Sequence, residues 1–214
     1  MSYRHTPAML KEVIAYLNCR PGKSYVDGTL GGSGHAAAIC DYISPGGIFI
    51  GFDQDIDAIK NAEITLKNYD IPIHLLHSNF IRLPEFLSQL GINKVDGILV
   101  DLGLSQNQLE RSGRGFSFKK DEPLDMRMDI RSPQTAEHLV NKLAQEDLEK
   151  IFKNYGEERW AKRIAGNLAR IRQKKKFAPA NSSHKLYPIR SRGDKRLNKR
   201  SILPPGYLWH CESS

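Results

Sequence analysis

The segment Asp27-Gly28-Thr29-Leu30-Gly31-Gly32-Ser33-Gly34-His35 follows a short apolar run, Ser24-Tyr25-Val26, and leads into a stretch of small residues, 36–40. Glycines at a strand-to-helix turn let the backbone approach a ligand that a Cβ would hold off. The helix start adds free N–H groups and the positive end of a dipole. Asp53 closes the next apolar run, 22 residues after Gly31. An acid about 20 residues beyond a glycine turn is where nucleotide-binding α/β units hold ribose hydroxyls. Asp101 closes a third apolar run, residues 95–100, where a carboxylate can accept a hydrogen bond from a substrate amine or a ligand ammonium. Phe80, just after His77-Ser78-Asn79, offers a ring for stacking on a purine or for filling the core. The glycine run at 27–35 carries no Gly-Lys-Ser/Thr of its own, and its glycines do not follow Gly-x-Gly-x-x-Gly. A nucleoside ligand without a pyrophosphate is therefore expected.

Alternating patterns predict the elements that carry these residues. Apolar residues at helical spacing predict a helix over 7–18, with Thr6 as its cap and Pro7 at its first position. Strands follow at 24–27, 47–53, 72–76 and 95–101, with helices at 34–43, 55–67 and 81–90 between them. The runs at 48–52 and 95–100 are nearly all apolar, as in parallel strands buried on both faces. The expectation is α/β, a doubly wound parallel sheet whose first four strands bring Asp27, Asp53 and Asp101 to one crevice. Residues 102–133 read as a long ordered loop, which is either functional or pinned by an Arg127–carboxylate pair. Residues 135–173 read as helical, capped by Thr135 and broken near Gly156. Glu157-Glu158-Arg159 and Lys174-Lys175-Lys176 read as solvated helix faces. From about Phe177 the periodicity stops.

Composition narrows the class. The chain has 214 residues, 40% of them hydrophobic, and no run of 18 apolar residues, so neither a membrane span nor an N-terminal signal segment is expected. Cys19, Cys40 and Cys211 are scattered, which predicts no metal site, no disulfide framework and a reducing cytoplasm. The net charge of +8 is uneven: residues 151–214 hold 16 Lys/Arg against 4 Asp/Glu. The basic half could serve an RNA partner.

The motifs carry a family resemblance. His5-Thr6-Pro7, Asp27-Gly28-Thr29-Leu30-Gly31, Gly34-His35, Asp53-Gln54-Asp55, Asn79-Phe80, Val95-Asp96-Gly97-Ile98-Leu99-Val100-Asp101-Leu102-Gly103 and Gln108 occur in order. So do Arg114-Gly115-Phe116-Ser117-Phe118, Pro123-Leu124-Asp125-Met126-Arg127-Met128-Asp129 and Tyr155-Gly156-Glu157-Glu158-Arg159. Over residues 4 to about 173 the chain resembles the bacterial 16S ribosomal RNA cytosine-N4 methyltransferases. The resemblance implies a Rossmann-like class I methyltransferase fold with an inserted helical domain. It implies S-adenosyl-L-methionine as methyl donor and, as partner, 16S rRNA in the small ribosomal subunit, methylated at a cytidine of the decoding centre. It further implies that Ser33, Gly34 and His35 line the methionine side of the cofactor and that Asp53 holds the ribose. Phe80 would border the adenine, while Asp101 and Gln108 stand at the donor end, with Asp101 also aligning the amine. Ser33 replaces the family's usual glycine, a change expected to leave its backbone N–H available, and Gln106-Asn107 replaces Ser-Pro.

The organisation expected is a cofactor-binding half at 1–108, a loop and helical insertion on the substrate side at 109–176, and a non-family tail at 177–214. The family's later strands and its His-Pro-Ala-Thr-Arg segment are absent from this sequence. Read in a shifted frame, the codons for Trp209-His210-Cys211 encode Ala-Leu, and those for residues 201–206 permit His-Pro-Ala-Thr-Arg. A frameshift between about Arg172 and Ala180 is expected. The leading reading is the rRNA methyltransferase. The alternatives are an inactive fragment with at most weak cofactor binding, and a basic RNA-binding module without chemistry.

Overall fold

The computed structural model describes residues 7–117 and 119–177. The tail expected at 177–214 lies, apart from Phe177, outside the described residues. The chain divides into two compact units between Asn107 and Gln108.

In the first unit, α1 (Leu10–Leu17) precedes β1 (Ser24–Asp27), α2 (Gly34–Ile43), β2 (Ile48–Asp53), α3 (Ile56–Leu66) and β3 (Ile73–His77). A 3₁₀ turn at Phe80–Arg82, α4 (Leu83–Gln89) and β4 (Gly97–Leu99) follow, and α5 (Gln106–Glu110) straddles the boundary. All strand pairs are parallel, in the order β3-β2-β1-β4, with Asp27 opposite Gly51 and Leu99. The chain winds outward from β1 through β2 to β3, then returns to the other side of β1. The switch point of this Rossmann-like sheet therefore falls between the carboxyl ends of β1 and β4.

Alternation sorts the core. Tyr25 and Phe49 pack with Ile39, Ile43, Ile59, Ala62 and Leu66 of α2 and α3. Val26, Ile50 and Phe52 turn the other way, against Leu83, Phe86 and Leu87 of α4, with Phe52 edge-on to Phe86 at 5.5 Å. Asp55 caps α3, its Oδ1 accepting from Asp57 N at 3.1 Å.

Two expectations for the first unit need correction. The helix expected from Pro7 starts at Leu10: Met9 is left-handed (φ 52°), and the Ala8 carbonyl accepts from His35 Nε2 at 3.0 Å. The strand expected at 95–101 has only three residues, and it is not buried on both faces. Among the described residues its one sheet neighbour is β1, and Ile98 and Val100 are exposed.

In the second unit, α6 (Ala136–Lys142), α7 (Gln145–Asn154) and α8 (Ala161–Lys174) pack around Val140, Leu148, Phe152, Ala165, Leu168 and Phe177. Thr135 caps α6 as expected, its Oγ1 accepting from His138 N at 3.1 Å. The helical stretch breaks twice rather than once. Leu143 takes an extended conformation at the end of α6, and its side chain packs on the core. Asn141 brackets Phe177 with two hydrogen bonds, Nδ2 to the carbonyl at 2.8 Å and Oδ1 from the amide at 3.0 Å.

The described residues of 111–133 are irregular but heavily tied. Arg127 grips Asp125 through Nε and Nη2, both at 2.7 Å, and reaches the carbonyls of Ile130 and Ser132 with Nη1. That pair holds the Asp125 carboxyl below its ordinary range even though partial burial opposes it. Buried Arg114 donates to the carbonyls of Arg127 and Met128. The Leu124 and Asp125 carbonyls accept the first amides of α6, from Glu137 and Ala136, at 2.8 Å. The segment thus supplies partners that a helix start lacks within itself.

Candidate active site

The site grows from the carboxyl end of β1. Asp27 is fully buried, and its Oδ1 accepts from Thr29 N at 3.0 Å. Thr29 Oγ1 in turn accepts the Asp101 amide at 2.7 Å, while Gly28 N donates to Leu99 O at 2.8 Å. These bonds stitch the glycine loop to the end of β4 across the switch point. Among the described residues, Asp27 Oδ2 is the one buried side-chain polar atom without a hydrogen-bond partner. Burial pushes the Asp27 carboxyl up to about 7; the Thr29 amide opposes this, and the nearby charges of Asp53 and Asp101 add to it. A buried carboxyl with one unpartnered oxygen holds its proton into the neutral range unless a cation or donor meets it.

Asp53 ends β2 and anchors the loop from the other side. Its Oδ2 accepts from Gly31 N at 2.9 Å and its Oδ1 from Asp55 N at 2.8 Å. Burial raises this carboxyl to about 6 against those two amides. Each oxygen still has a lone pair for a ligand hydroxyl. Gly51 explains how the loop lies so close to β2. A Cβ there would stand 2.6 Å from Leu30 Cδ2, so only glycine lets buried Leu30 cross the strand.

Ser33 departs from expectation. Its backbone is left-handed (φ 63°), a conformation that favours glycine, and its N–H is not available: it donates to Leu30 O at 2.6 Å. Asn61 of α3 holds the strained residue, with Nδ2 donating to Ser33 Oγ at 3.0 Å and to Gly32 O at 3.1 Å. The donors at this helix start are therefore the amides from Gly34 onward.

His35, the second residue of α2, is buried. A carbonyl can only accept, so Nε2 carries the proton in its bond to Ala8 O. Nδ1 then faces Asp101 Oδ2 at 3.9 Å, while the Asp101 side chain itself remains largely exposed. Phe80 is partly buried and packs with Val26, Ile50 and Phe52; its Cβ lies 3.2 Å from where a Gly28 Cβ would stand. It borders the loop and fills core at once. Gln108 is buried in α5 and is the first residue of the second unit. The structure thus brings together Asp27, Ser33, Gly34, His35, Asp53 and Asp101, with Phe80 alongside.

Sequence reasoning set Asp27 at the crevice without giving it a role, and it missed Thr29 and Asn61. An acid ending a buried strand before a glycine run was a signal for Asp27. For Asn61, a polar residue within an amphipathic helix, there was none.

Comparison with known proteins settles the kinship. A model of the MraW methylase family matches residues 2–190. The chain belongs to that family. The match enters the segment read above as a non-family tail. A ribosomal RNA small subunit methyltransferase H of Geotalea daltonii is 48% identical over 176 residues, covering 82% of this chain and 56% of the relative. The Pelobacter propionicus protein of that name is 45% identical over 188 residues, 87% of this chain and 59% of the relative. The one from Desulfosudis oleivorans is 45% identical over 205 residues, 92% of this chain and 65% of the relative. The chain therefore spans just over half to about two thirds of these relatives' length. Family membership and the Rossmann-like sheet imply use of S-adenosylmethionine. Among the described residues no helix is long and apolar enough to cross a membrane, and no group of three or more His, Cys, Asp or Glu is placed to hold a metal ion.

The residues fit such a cofactor. S-adenosylmethionine carries a sulfonium and an ammonium cation beside one carboxylate. Two acids stand at the switch point for the cations, Asp27 with its orphaned oxygen and Asp101, while Asp53 at the end of β2 has lone pairs for the ribose hydroxyls. The start of α2, where Gly34 leads the helix, offers amides and a positive dipole end to the carboxylate.

Proposed function

We propose that this chain carries the cofactor site of a cytoplasmic enzyme that methylates N4 of a cytidine in the decoding centre of 16S rRNA, within the small ribosomal subunit, using S-adenosylmethionine. The observation that carries the reading is the buried, half-partnered Asp27 beneath the glycine loop, with Asp53 and Asp101 at the neighbouring strand ends. The relatives' name, ribosomal RNA small subunit methyltransferase H, supports the rRNA substrate.

When bound, the cofactor supplies a methyl group made electrophilic by the sulfonium. The chain's own residues do the rest. Asp53 holds the ribose hydroxyls with the lone pairs its backbone partners leave. The amides from Gly34 onward and His35 hold the methionine end, with Ser33 shaping the turn through Asn61. Phe80 closes the adenine side. Asp27 loses its proton and meets the cationic end. The exocyclic amine of cytosine is a poor nucleophile because its lone pair is delocalised into the ring. Catalysis therefore depends on aligning that nitrogen, and Asp101 does so by accepting an amine hydrogen bond. Thr29 fixes the Asp101 backbone for the task. A stacked cytosine must first be extruded. For Gln108 the resemblance alone carries the assignment to the donor end.

The test is paired: calorimetric titration with S-adenosylmethionine, and methyl transfer to 30S subunits lacking the modification. Asp53→Ala should weaken cofactor binding by about 1–3 kcal/mol. Asp101→Ala should lower transfer more than binding. Unchanged affinity in Asp53→Ala would remove it from the site. Cofactor binding without transfer by the parent chain would favour the reading as a fragment that does not turn over.

A further inference from the structure

Neither the strand-end acids nor the tied loop accounts for the charge on α8. From Arg159 to Phe177 the sequence holds eight Lys/Arg and no Asp or Glu. The helix turns Ala161, Ala165 and Leu168 into the core of the second unit. At about 100° per residue, Lys162, Gln173, Arg170, Arg163 and Lys174 fall in one sector on the opposite side, and all five are exposed. Arg172 is not part of this face; its Nη1 donates to Val140 O at 2.8 Å. Among the described residues no carboxylate pairs with Lys162, Arg163, Arg170 or Lys174. Just before the helix, Trp160 is 45% exposed, with the Arg159 guanidinium 5.2 Å from its ring.

Helix stability does not explain this pattern. Cations suit the last turn of a helix, which covers Lys174, but Lys162 and Arg163 sit in the first turn, at the positive dipole end. Arg170 and Lys174 are like charges four residues apart, which also disfavours the helix. Solvation alone is met by mixed signs, as on α7, where Glu146, Asp147 and Glu149 alternate with Lys150 and Lys153. A one-sign stripe about 18 Å long with an open indole at its head matches a polyanion that carries bases.

We propose that the exposed face of α8 binds the phosphate backbone of RNA, with Trp160 as a stacking platform for a base. The choice of RNA as the polyanion rests on the function proposed above; the face itself does not depend on the cofactor site.

The experiment measures binding of the 214-residue chain to a fluorescein-labelled, single-stranded 30-nucleotide RNA by anisotropy, without cofactor, across a series of salt concentrations. Lys162→Gln/Arg170→Gln/Lys174→Gln is compared with Lys11→Gln/Lys60→Gln/Lys67→Gln, which removes equal charge from α1 and the α3 region. Losing three phosphate contacts at about 0.7 each should flatten the log–log salt slope by about 2, and weaken binding on the order of 50-fold at 0.15 M salt. The control should stay near the parent. In a Trp209→Phe background, where Trp160 is the sole tryptophan, RNA should quench its emission; this readout needs no change on α8. Equal losses in both triple variants, or an unchanged slope together with no quenching, would overturn the proposal. Because no methyl transfer is measured, failure here leaves the proposed activity standing, and failure of the activity leaves this face standing.

Discussion

Raising the pH from 6 to 7 should tighten S-adenosylmethionine binding about tenfold. The magnitude follows from two carboxyls. Asp27 titrates at about 7 and Asp53 at about 6, both raised chiefly by burial. A ligand whose cation meets ionised Asp27 and whose ribose hydroxyls donate to ionised Asp53 binds only the fraction of protein that has shed these protons. On going from pH 6 to 7 the ionised fraction rises about 5.5-fold for Asp27 and about 1.8-fold for Asp53, together about 1.4 kcal/mol. The interval lies below the titration of the ligand's own α-amine. Calorimetry in two buffers of different ionisation enthalpy reads the protons directly: about 1.4 released per ligand at pH 6 and about 0.6 at pH 7. Asp27→Asn removes the larger share, so its affinity should change only about twofold over the interval. An affinity constant across pH 6–7 with no proton release in either buffer would refute the coupling between these acids and the cofactor.

The same shifts bear on stability. A carboxyl raised from 3.8 to about 7 keeps in the fold a proton that the unfolded chain has lost, so its contribution is full below about pH 4 and lost as pH rises through 7. The melting temperature of Asp27→Asn should therefore fall less between pH 5 and 8 than that of the parent, and parallel curves would contradict it. Thr29→Val removes the acceptor of the Asp101 amide and should lower methyl transfer with little change in cofactor affinity, while Thr29→Ser restores it; equal loss in both variants would remove the hydroxyl from the argument. Gly51→Ala drives a methyl into Leu30 and should cost about 1–3 kcal/mol in urea unfolding, with weakened cofactor binding. Asn141→Ala breaks both bonds to Phe177 and should cost about 1–3 kcal/mol, checked by the same denaturation.

Local pattern carried much of this protein. Strand and helix periods, the glycine run and acids at strand ends are properties of short segments, so β1 to β3, α2, α3 and the Thr135 cap lie close to where the sequence places them. The meeting of Asp53 with the glycine loop was legible because its spacing from Gly31 is fixed by one βα unit. The remainder depends on neighbours distant in sequence. Pairing of β4 with β1 rather than β3 brings Asp101 to Thr29 and His35, and no period in the chain encodes a strand's partner. The Ser33 amide is used because the turn folds back on Leu30, and Asn61 reaches it from another helix. Asp27 carries its proton near neutrality because packing removes water from it, which no residue beside it in sequence could announce. Spacing places groups along the chain; desolvation and the choice of partner arise only when separate segments close around them.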